Sequence, residues 1–459
     1  MTLPSELVQT ANANQARAAE PQASVWVSAN AGTGKTAVLV KRILRLLLAG
    51  AAPESILCLT YTKTAAAEMQ NRLLKTLSDW ALMPEGKLQA ELGLLLKEPF
   101  LEEDMQTARR LFARVLEARG GLKIHTIHGF CERLLQRFPL EATVTPNFTV
   151  LDETSATRAR NEAFDAVAMK AVAAPNSPLG QALSTVVALT SEDQFRLVVG
   201  EILANRAELA RIVRRHAELG QATDWPRAEA ETLKTFFDVA EKDEAALIAE
   251  QASILSDAQI DAALAALADL ASTKTDKGVV ETLRRARRLA GPGRTALFKT
   301  LFLTQRGDPR TRIVTKGIVN AAPEITARLD EAKIDFARIE TDLAHFRVVE
   351  ATGALLTFAD AVQTAYDVEK RREAALDYDD LIVKTLDLLS RSNAAAWVLY
   401  KIDGGVDHIL VDEAQDTNPE QWSIVEALAE EYFAGAGARA QPRTLFAVGD
   451  EKQSIYSFQ

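Results

Sequence analysis

The chain has 459 residues, with 53 Lys and Arg against 63 Asp and Glu, and 47% of its residues are apolar. This length and composition predict a globular protein of roughly two to four domains, and they exclude a disordered chain, a collagen-like repeat and a small disulfide scaffold. The formal charge of -10 argues against a protein that coats nucleic acid through bulk positive charge, although a local basic groove is compatible with it.

The cysteines and the N-terminus indicate the compartment. Cys58 and Cys131 have no metal-ligand or disulfide spacing, which favours a reducing environment and argues against a structural zinc site. The N-terminus has neither the basic nor the apolar segment of a signal peptide, and the most apolar stretch, residues 43–52, is too short to span a membrane. We therefore expect a cytoplasmic protein.

Short β-rich runs alternate with helical periods over the first 150 residues or so, as in a parallel α/β sheet. The periodicity predicts a helix at residues 36–49, and the apolar runs before and after it predict strands at residues 24–28, 55–60 and 122–126.

From about residue 154 to 375 the sequence changes to long helical segments rich in Ala, Glu and Arg, such as residues 260–270 and 322–346. Strand patterns resume at residues 407–412 and 444–449, and a surface loop is predicted at residues 434–442. The sheet is therefore expected to be completed by chain on both sides of a helical insertion.

A phosphate-binding loop is predicted between the first strand and the first helix. Its residues are Ala29, Asn30, Ala31, Gly32, Thr33, Gly34, Lys35 and Thr36. The glycines permit positive φ and a close approach of the backbone to phosphate, and the helix N-terminus attracts negative charge. In such a loop the Lys35 ammonium reaches the β and γ phosphates, and the Thr36 hydroxyl binds Mg²⁺.

An acidic residue at the end of another apolar strand is the second half of a nucleotide site. The sequence H-I-L-V-D-E-A-Q-D, residues 408–416, provides it. Asp412 ends the run, where its carboxylate would hold Mg²⁺, and Glu413 would orient and deprotonate the attacking water. Together the two motifs predict a nucleotide hydrolase.

Seven segments resemble, in order, the helicase motifs of superfamily 1 in its UvrD/Rep-like branch. They are Gln15, ANAGTGKT at 29–36, TYTKTAAAEM at 60–69, HTIHGFC at 125–131, LDYDDLI at 376–382, VDEAQDTNPEQ at 411–421 and VGDEKQSIYSF at 448–458. Within this branch the I-H-G-F-C form, the segment 148–153 and the large insertion are most similar to the AddA type, the helicase–nuclease subunit of the AddAB recombination complex, with the RecB type next.

The resemblance implies an α/β fold, a RecA-like P-loop NTPase domain (helicase domain 1A) formed by residues 1–153 and 376–459. An all-helical subdomain, 1B, is expected to be inserted at residues 154–375. The implied activity is 3′ to 5′ DNA translocation and unwinding, driven by ATP with Mg²⁺, in double-strand break repair by homologous recombination. A second RecA-like domain and a nuclease domain are expected beyond residue 459 of a longer protein. Since arginine fingers of the second domain contribute about 10³ to 10⁵ in rate, the chain alone is expected to turn ATP over poorly.

The resemblance also implies roles for single residues. Gln15 matches the glutamine that pairs with adenine, although a polar N-terminal glutamine is ordinarily solvated. Gln453 matches the residue that senses the γ phosphate and couples it to the DNA track. Four residues match positions that meet single-stranded DNA, each with core packing as its alternative: Thr62, His128, Tyr456 and Phe458.

Implied partners are single-stranded and duplex DNA ends and a second protein of the AddB type, with no membrane. Two other functions stay open. One is a stand-alone UvrD-like repair helicase, which a downstream sequence without a nuclease motif would favour. The other is a catalytically idle module that binds ATP and DNA.

A basic run lies inside the predicted insertion. It contains ten cations against one acid, Asp308, and the cations are Arg284, Arg285, Arg287, Arg288, Arg294, Lys299, Arg306, Arg310, Arg312 and Lys316. One interpretation is a patch that contacts duplex DNA phosphates, with Arg284, Arg285, Arg287 and Arg288 in direct contact. The other is a solvated helix face, and the sequence leaves both open.

Overall fold

The computed structural model describes residues 13–28, 34–96, 102–118, 121–390, 392–403, 406–433 and 442–450. Strands and helices alternate at both ends of the chain. The elements in chain order are β1 (Val25–Ser28), α1 (Lys35–Leu48), β2 (Ile56–Thr60), α2 (Lys63–Leu82), α3 (Glu85–Leu96), α4 (Glu102–Glu117), β3 (Lys123–Thr126), α5 (Ile127–Arg137), β4 (Thr149–Val150), α6 (Glu153–Ala173), α7 (Pro178–Val187), α8 (Glu192–Ala204), α9 (Arg206–Glu218), α10 (Trp225–Phe236), α11 (Glu244–Ala252), α12 (Asp257–Leu267), α13 (Lys274–Ala286), α14 (Gly291–Phe302), α15 (Lys316–Ala321), α16 (Pro323–Arg372), β5 (Ala375–Leu376), α17 (Tyr378–Ser390), α18 (Ser392–Asp403), β6 (His408–Val411), α19 (Pro419–Phe433) and β7 (Thr444–Gly449).

The chain divides into two compact units, which are Met1–Thr157 with Glu369–Gln459, and Arg158–Val368. The amino-acid composition changes at about residues 154 and 375, close to the limits of these units. The limits of the units fall inside α6 and α16, because these helices continue past the points where the strand patterns stop and resume.

A parallel sheet lies at the centre of the first unit. Among the described residues its five strands have the order β1-β7-β6-β2-β3. All five strands are those that the apolar runs predict, so this part of the expected α/β fold is confirmed. Because the strands are parallel, their carboxyl ends meet at one edge of the sheet, where ligands bind in open α/β folds.

Helices cover both faces of this sheet, as the alternation of buried side chains requires. In β2, Cys58 packs with α1, α2, α3 and α4 on one face. Leu57 and Leu59 point to the other face and pack with α5, α17, α18 and α19. The sequences of the buried strands are therefore continuous apolar runs, as expected for a parallel sheet that is covered on both sides.

A two-stranded parallel sheet lies where the chain leaves and re-enters the first unit. In it, β4 pairs with β5. Next to it, Lys370 is buried and its ammonium contacts two carboxylates, that of Asp377 at 3.1 Å and that of Asp380 at 2.5 Å. The two aspartates also cap each other, since the backbone N–H of each donates to the side chain of the other. The L-D-Y-D-D-L-I segment thus begins α17 with a buried ion cluster.

The described elements of the second unit are helices, apart from an isolated bridge between Leu303 and Pro309. One aromatic cluster, in which Phe195 and Phe358 have ring centroids 4.7 Å apart, joins α6, α7, α8 and α16. A separate cluster around Phe302 and Phe336 joins α12, α13, α14 and α16. The predicted helical segments at residues 260–270 and 322–346 correspond to α12 and α16.

None of the helices among the described residues combines the length and the hydropathy that a membrane-spanning segment needs. The predicted surface loop at residues 434–442 lies almost entirely outside the described residues.

Candidate functional site

The nucleotide site predicted from the glycine-rich loop is described from Gly34 onward, since residues 29–33 lie outside the described residues. Gly34 has a φ of 84°, in the left-handed region that favours glycine. Lys35 and Thr36 then form the first turn of α1, where unpaired backbone N–H groups attract phosphate. The described part of the loop therefore has the conformation that a phosphate-binding loop needs.

The acidic pair follows β6 at the same edge of the sheet. Asp412 is only 5% exposed, and its backbone N–H donates to the Leu59 carbonyl of β2 at 2.9 Å. Glu413 has a φ of 51°, which is unusual for a residue other than glycine. This turn directs the two neighbouring carboxylates to different surroundings, one buried and one half-exposed.

Lys35 and Glu413 are in direct contact. The lysine Nζ lies 2.7 Å from the glutamate Oε2, and the lysine side chain is 9% exposed while that of the glutamate is 37% exposed. The structure thus brings together the cation and the carboxylate that the sequence assigns to catalysis. Charge-assisted hydrogen bonds of this kind are about twice as strong as neutral ones.

Gln415 contributes to the site, although the sequence reasoning assigned it no role. Its Nε2 donates to Glu413 Oε2 at 2.7 Å, and its Oε1 accepts from the backbone N–H of Asp450 at 2.8 Å. A Cβ on Gly449 would lie only 2.8 Å from this Oε1, so the glycine at the end of β7 makes room for the amide. The sequence feature that could have indicated this role is the position of Gln415 two residues after Glu413 in V-D-E-A-Q-D.

The electrostatics of Asp412 suit a bound cation. Burial and, to a smaller extent, the adjacent Glu413 raise the pKa of its carboxyl to about 6, although a backbone hydrogen bond and Lys35 act in the opposite direction. A divalent ion would supply the positive charge that the buried carboxylate lacks. The described residues include no group of three or more His, Cys, Asp or Glu side chains arranged to hold a metal. Asp412 and the half-buried Thr36 fit Mg²⁺, which takes one or two protein ligands and completes its shell with water and phosphate.

Gln15 lies beside the phosphate-binding loop. Its Oε1 accepts a hydrogen bond from Lys41 at 3.3 Å, and its Nε2 lies 3.8 Å from where a Cβ on Gly34 would be. The structure therefore places this glutamine at the entrance to α1. Its pairing with adenine stays a prediction.

Arg42 is a fully buried residue of α1 that the sequence reasoning missed. Its guanidinium donates to four oxygens, the carbonyls of Ala18, Glu20 and Ala23 and the hydroxyl of Thr444. It also lies 5.0 Å from the centre of the Phe446 ring. Its burial could have been predicted from the sequence, because this charged residue lies three positions after Leu39 and four before Leu46, on the apolar face of the helix.

Two of the residues expected to meet single-stranded DNA are described, and both follow the carboxyl ends of strands. The Thr62 hydroxyl accepts from the backbone N–H of Ala65 and caps α2. The ring of His128 meets the edge of Tyr378 with centroids 5.3 Å apart, and burial lowers the pKa of this histidine. A cavity of about 410 Å³ adjoins them and is lined by Tyr61, Lys63, Thr126, His128, Gly129, Glu132, Val150, Tyr378 and Leu381.

Gln453, Tyr456 and Phe458 lie outside the described residues. Their roles at the γ phosphate and on DNA stay predictions.

The basic run of the second unit is partly neutralised by its own neighbours. Arg287 contacts Asp257 at 2.9 Å and Asp261 at 3.0 Å, and Arg284 contacts Glu281 at 2.9 Å. Arg294 contacts Asp257 at 2.7 Å. Two of the four arginines expected on DNA, Arg284 and Arg287, are therefore already ion-paired within the protein. Arg285 and Arg288 are exposed and have no carboxylate at ion-pair distance among the described residues.

The chain resembles known proteins over nearly its whole length. The sequence model of the family described as UvrD/REP helicase N-terminal domain matches residues 10–459. Proteins named as the A subunit of an ATP-dependent helicase/nuclease are similar over nearly the whole chain. The one from Lactiplantibacillus plantarum is 28% identical over 97% of this chain and 35% of its own length. Those from Enterococcus faecalis and Latilactobacillus sakei are 25% and 27% identical over 95% of this chain.

The chain spans 34% of the length of the E. faecalis protein and 48% of that from L. sakei. The family match covers almost every residue, including both predicted nucleotide-binding motifs and the chain between them. The chain therefore belongs to the UvrD/REP helicase N-terminal domain family.

Proposed function

We propose that this chain is the ATP-binding N-terminal part of an AddA-type DNA helicase, which couples ATP hydrolysis to 3′ to 5′ movement along DNA during recombinational repair of double-strand breaks. In this proposal the first unit is helicase domain 1A and the second unit is subdomain 1B. The observation that carries it is the contact between Lys35 and Glu413 at the carboxyl edge of a parallel sheet.

The contact suggests how the site responds to its substrate. A terminal phosphate and Glu413 compete for the same lysine, so binding of ATP draws the ammonium from the carboxylate to the phosphate. Glu413 is then free to orient a water molecule and accept its proton, while Gln415 holds its Oε2 in place. Asp412 and Thr36 would hold Mg²⁺, which neutralises charge on the phosphates.

The rest of the proposed activity is supported by similarity to longer proteins. The matched relatives are named as subunits, which supports an AddB-type partner. The ring pair of His128, which follows β3, and Tyr378, which follows β5, supports contact with single-stranded DNA, since bases stack on such faces without sequence preference. Both described cysteines are free and buried, which supports the reducing cytoplasm as the place of action.

Substitution of Lys35 tests the proposal. Lys35→Ala should weaken MgATP binding at least roughly tenfold by calorimetry, because the described loop loses its cation on the terminal phosphates. Lys75→Ala, which removes an exposed lysine of α2, is the matched control and should bind as the parent does. Equal affinity of the Lys35→Ala and parent chains would contradict the nucleotide site.

ATP hydrolysis with and without single-stranded DNA separates the alternatives. A slow hydrolysis that DNA accelerates supports a translocating enzyme, whereas tight binding of ATP with no turnover under either condition would indicate the idle binding module.

A further inference from the structure

Residues 13–23, which we call the N-terminal segment, pack against α1 in the first unit. Residues 13–18 are helical, and the backbone N–H of Ala19 donates to the Gln15 carbonyl at 3.0 Å. Both Ala18 and Ala19 are buried, and Ala18 lies in the same core cluster as the apolar side chains of α1. The backbone that carries Gln15 is therefore packed on the helix that follows the phosphate-binding loop.

Arg45 of α1 contacts the N-terminal segment at two points. Its Nη1 donates to the Ala16 carbonyl at 3.0 Å, and its Nη2 donates to the Glu20 carboxylate at 2.8 Å. The arginine side chain is nearly buried, whereas that of the glutamate is more exposed. Because a guanidinium is a rigid, planar fork, it fixes direction as well as distance. Arg45 thus fixes the carbonyl of the residue directly after Gln15.

Arg42 holds the rest of the same segment. Its guanidinium donates to the carbonyl of Ala18 at 3.2 Å and to those of Glu20 and Ala23 at 2.6 Å each. Together with the contact from Arg45 to Ala16, these bonds fix the backbone at four carbonyls between residues 16 and 23. The N-terminal segment is therefore held along its length by two arginines of one helix.

Lys41 contacts the side chain of Gln15 itself, since its Nζ lies 3.3 Å from the glutamine Oε1. An ammonium can only donate, so this contact turns the amide oxygen rather than the amide nitrogen towards the lysine. The oxygen has a second lone pair, which can accept from an amine of a base. Adenine presents an amine beside a ring acceptor and matches this amide, whereas guanine presents two acceptors at the same edge.

We propose that Lys41 and Arg45 are positioning residues that set the base preference of the nucleotide site, by fixing the orientation and the place of the Gln15 amide. In this arrangement α1 holds both ends of the ligand, because its first turn attracts the phosphates and its middle holds the N-terminal segment. A two-point amide contact favours the matching base by about tenfold to 100-fold. The inference rests on the proposed function for the presence of a nucleotide.

Calorimetry of the full chain with MgATP, MgGTP and magnesium tripolyphosphate tests the inference. Tripolyphosphate measures the phosphate site alone, and the ratio of the affinities for ATP and GTP measures recognition of the base. The parent should prefer ATP by about tenfold to 100-fold. R45M should lose most of this preference and still bind tripolyphosphate, because the phosphate-binding loop is unchanged. R45K keeps a donor at the same place and should have an intermediate ratio.

K41M is the second variant, and it changes an exposed residue, so the melting temperature should change little. It should also lower the preference for ATP, because the Gln15 amide is then free to turn its nitrogen towards guanine. In a chain that already carries Q15A, neither R45M nor K41M should change the ratio further, since both act through the same amide. A general loss of stability would not produce this dependence on Gln15.

R109M is the matched control, because it removes the same kind of contact elsewhere in the first unit. Arg109 of α4 donates to the carbonyls of Ala81 and Met83 at the end of α2, at 3.3 Å and 3.0 Å. This variant should keep the parental ratio of affinities. Melting temperatures show whether each variant folds, and K41M decides the test if R45M does not.

Three results would each overturn the inference: a parental ratio in both R45M and K41M, an equal loss of preference in R109M, or further losses in the Q15A chain. A parent that binds tripolyphosphate through Lys35 without distinguishing ATP from GTP would also overturn it, yet would leave the proposed nucleotide site in place. Absence of tripolyphosphate and ATP binding by the parent would contradict both the inference and the proposed function.

Discussion

Lys35 and Glu413 are 378 positions apart in the sequence and lie 2.7 Å apart in the structure, nitrogen to oxygen. The pair joins the first turn of α1, which follows β1, to the end of β6, and β7 lies between these two strands in the sheet. The glutamate is the more exposed partner, and in the proposed function it is the anion that an incoming phosphate replaces on the lysine.

Glu413→Gln should retain ATP binding and lose hydrolysis. The amide keeps the size of the side chain but is not a base, and it competes less strongly for Lys35, so affinity should equal or exceed that of the parent. Single-turnover hydrolysis should slow by roughly 10²-fold or more. Glu426→Gln, an exposed position of α19, is the control. Parental hydrolysis by the Glu413→Gln chain would remove this residue from the mechanism.

Arg42→Leu should destabilise the first unit by about 3 kcal/mol, because it leaves several buried oxygens without a donor. Burial lowers the pKa of Arg42 to about 10, yet the group keeps its charge at neutral pH. Urea unfolding measures the loss of stability. Arg72→Leu, at an exposed residue paired with Glu68, should cost less than about 0.5 kcal/mol. Similar losses in both variants would show that the buried network contributes little.

Lys370→Met should lower the stability of the first unit more than most single substitutions do, since it removes the cation that contacts the buried carboxylates of Asp377 and Asp380. Removal of one partner from a buried ion pair costs about 3 to 5 kcal/mol. The same substitution at Lys87, an exposed residue of α3, provides the comparison. Thermal unfolding of the two variants measures the difference, and an unchanged melting temperature for Lys370→Met would show that the cluster does not stabilise the start of α17.

His408 should make the stability of the first unit dependent on pH. Burial lowers the pKa of this histidine to about 4, with Arg42 acting in the same direction and Asp407 against it. The unfolded chain takes up a proton near pH 6.5 and the folded chain near pH 4, so stability is fully present above pH 6.5 and falls as the pH is lowered towards 4. Between pH 7.5 and 5 the loss should be at most about 2 kcal/mol.

His408→Gln should remove this part of the pH dependence, since the amide does not titrate in this range. Urea unfolding of the parent and the variant at pH 7.5 and 5 measures it, and the contributions of other groups cancel in the comparison. Parallel loss of stability in the two proteins would show that His408 titrates normally in the folded state.

Local sequence determined the secondary structure and the chemistry of the nucleotide site. The apolar runs of β2 and β6 form parallel strands because both faces of such a strand are buried. Gly34, Lys35 and the Asp412–Glu413 pair could be recognised because each stands directly beside a strand or helix whose pattern is local. The composition likewise predicts helices at residues 154–375, and the second compact unit comprises residues 158–368.

Tertiary structure alone decided which of these groups meet. Strand order brings Lys35 to Glu413, and the packing of α1 on β7 brings Arg42 to Thr444; neither pairing is written in a local pattern. The same holds for the basic run. Its cations are alike in sequence, but some of them contact acids from other segments in the folded chain, as Arg287 and Arg294 contact Asp257. The sequence specifies where a charge is along the chain, whereas burial and the nearest opposite charge, which determine what it does, arise only when distant segments pack together.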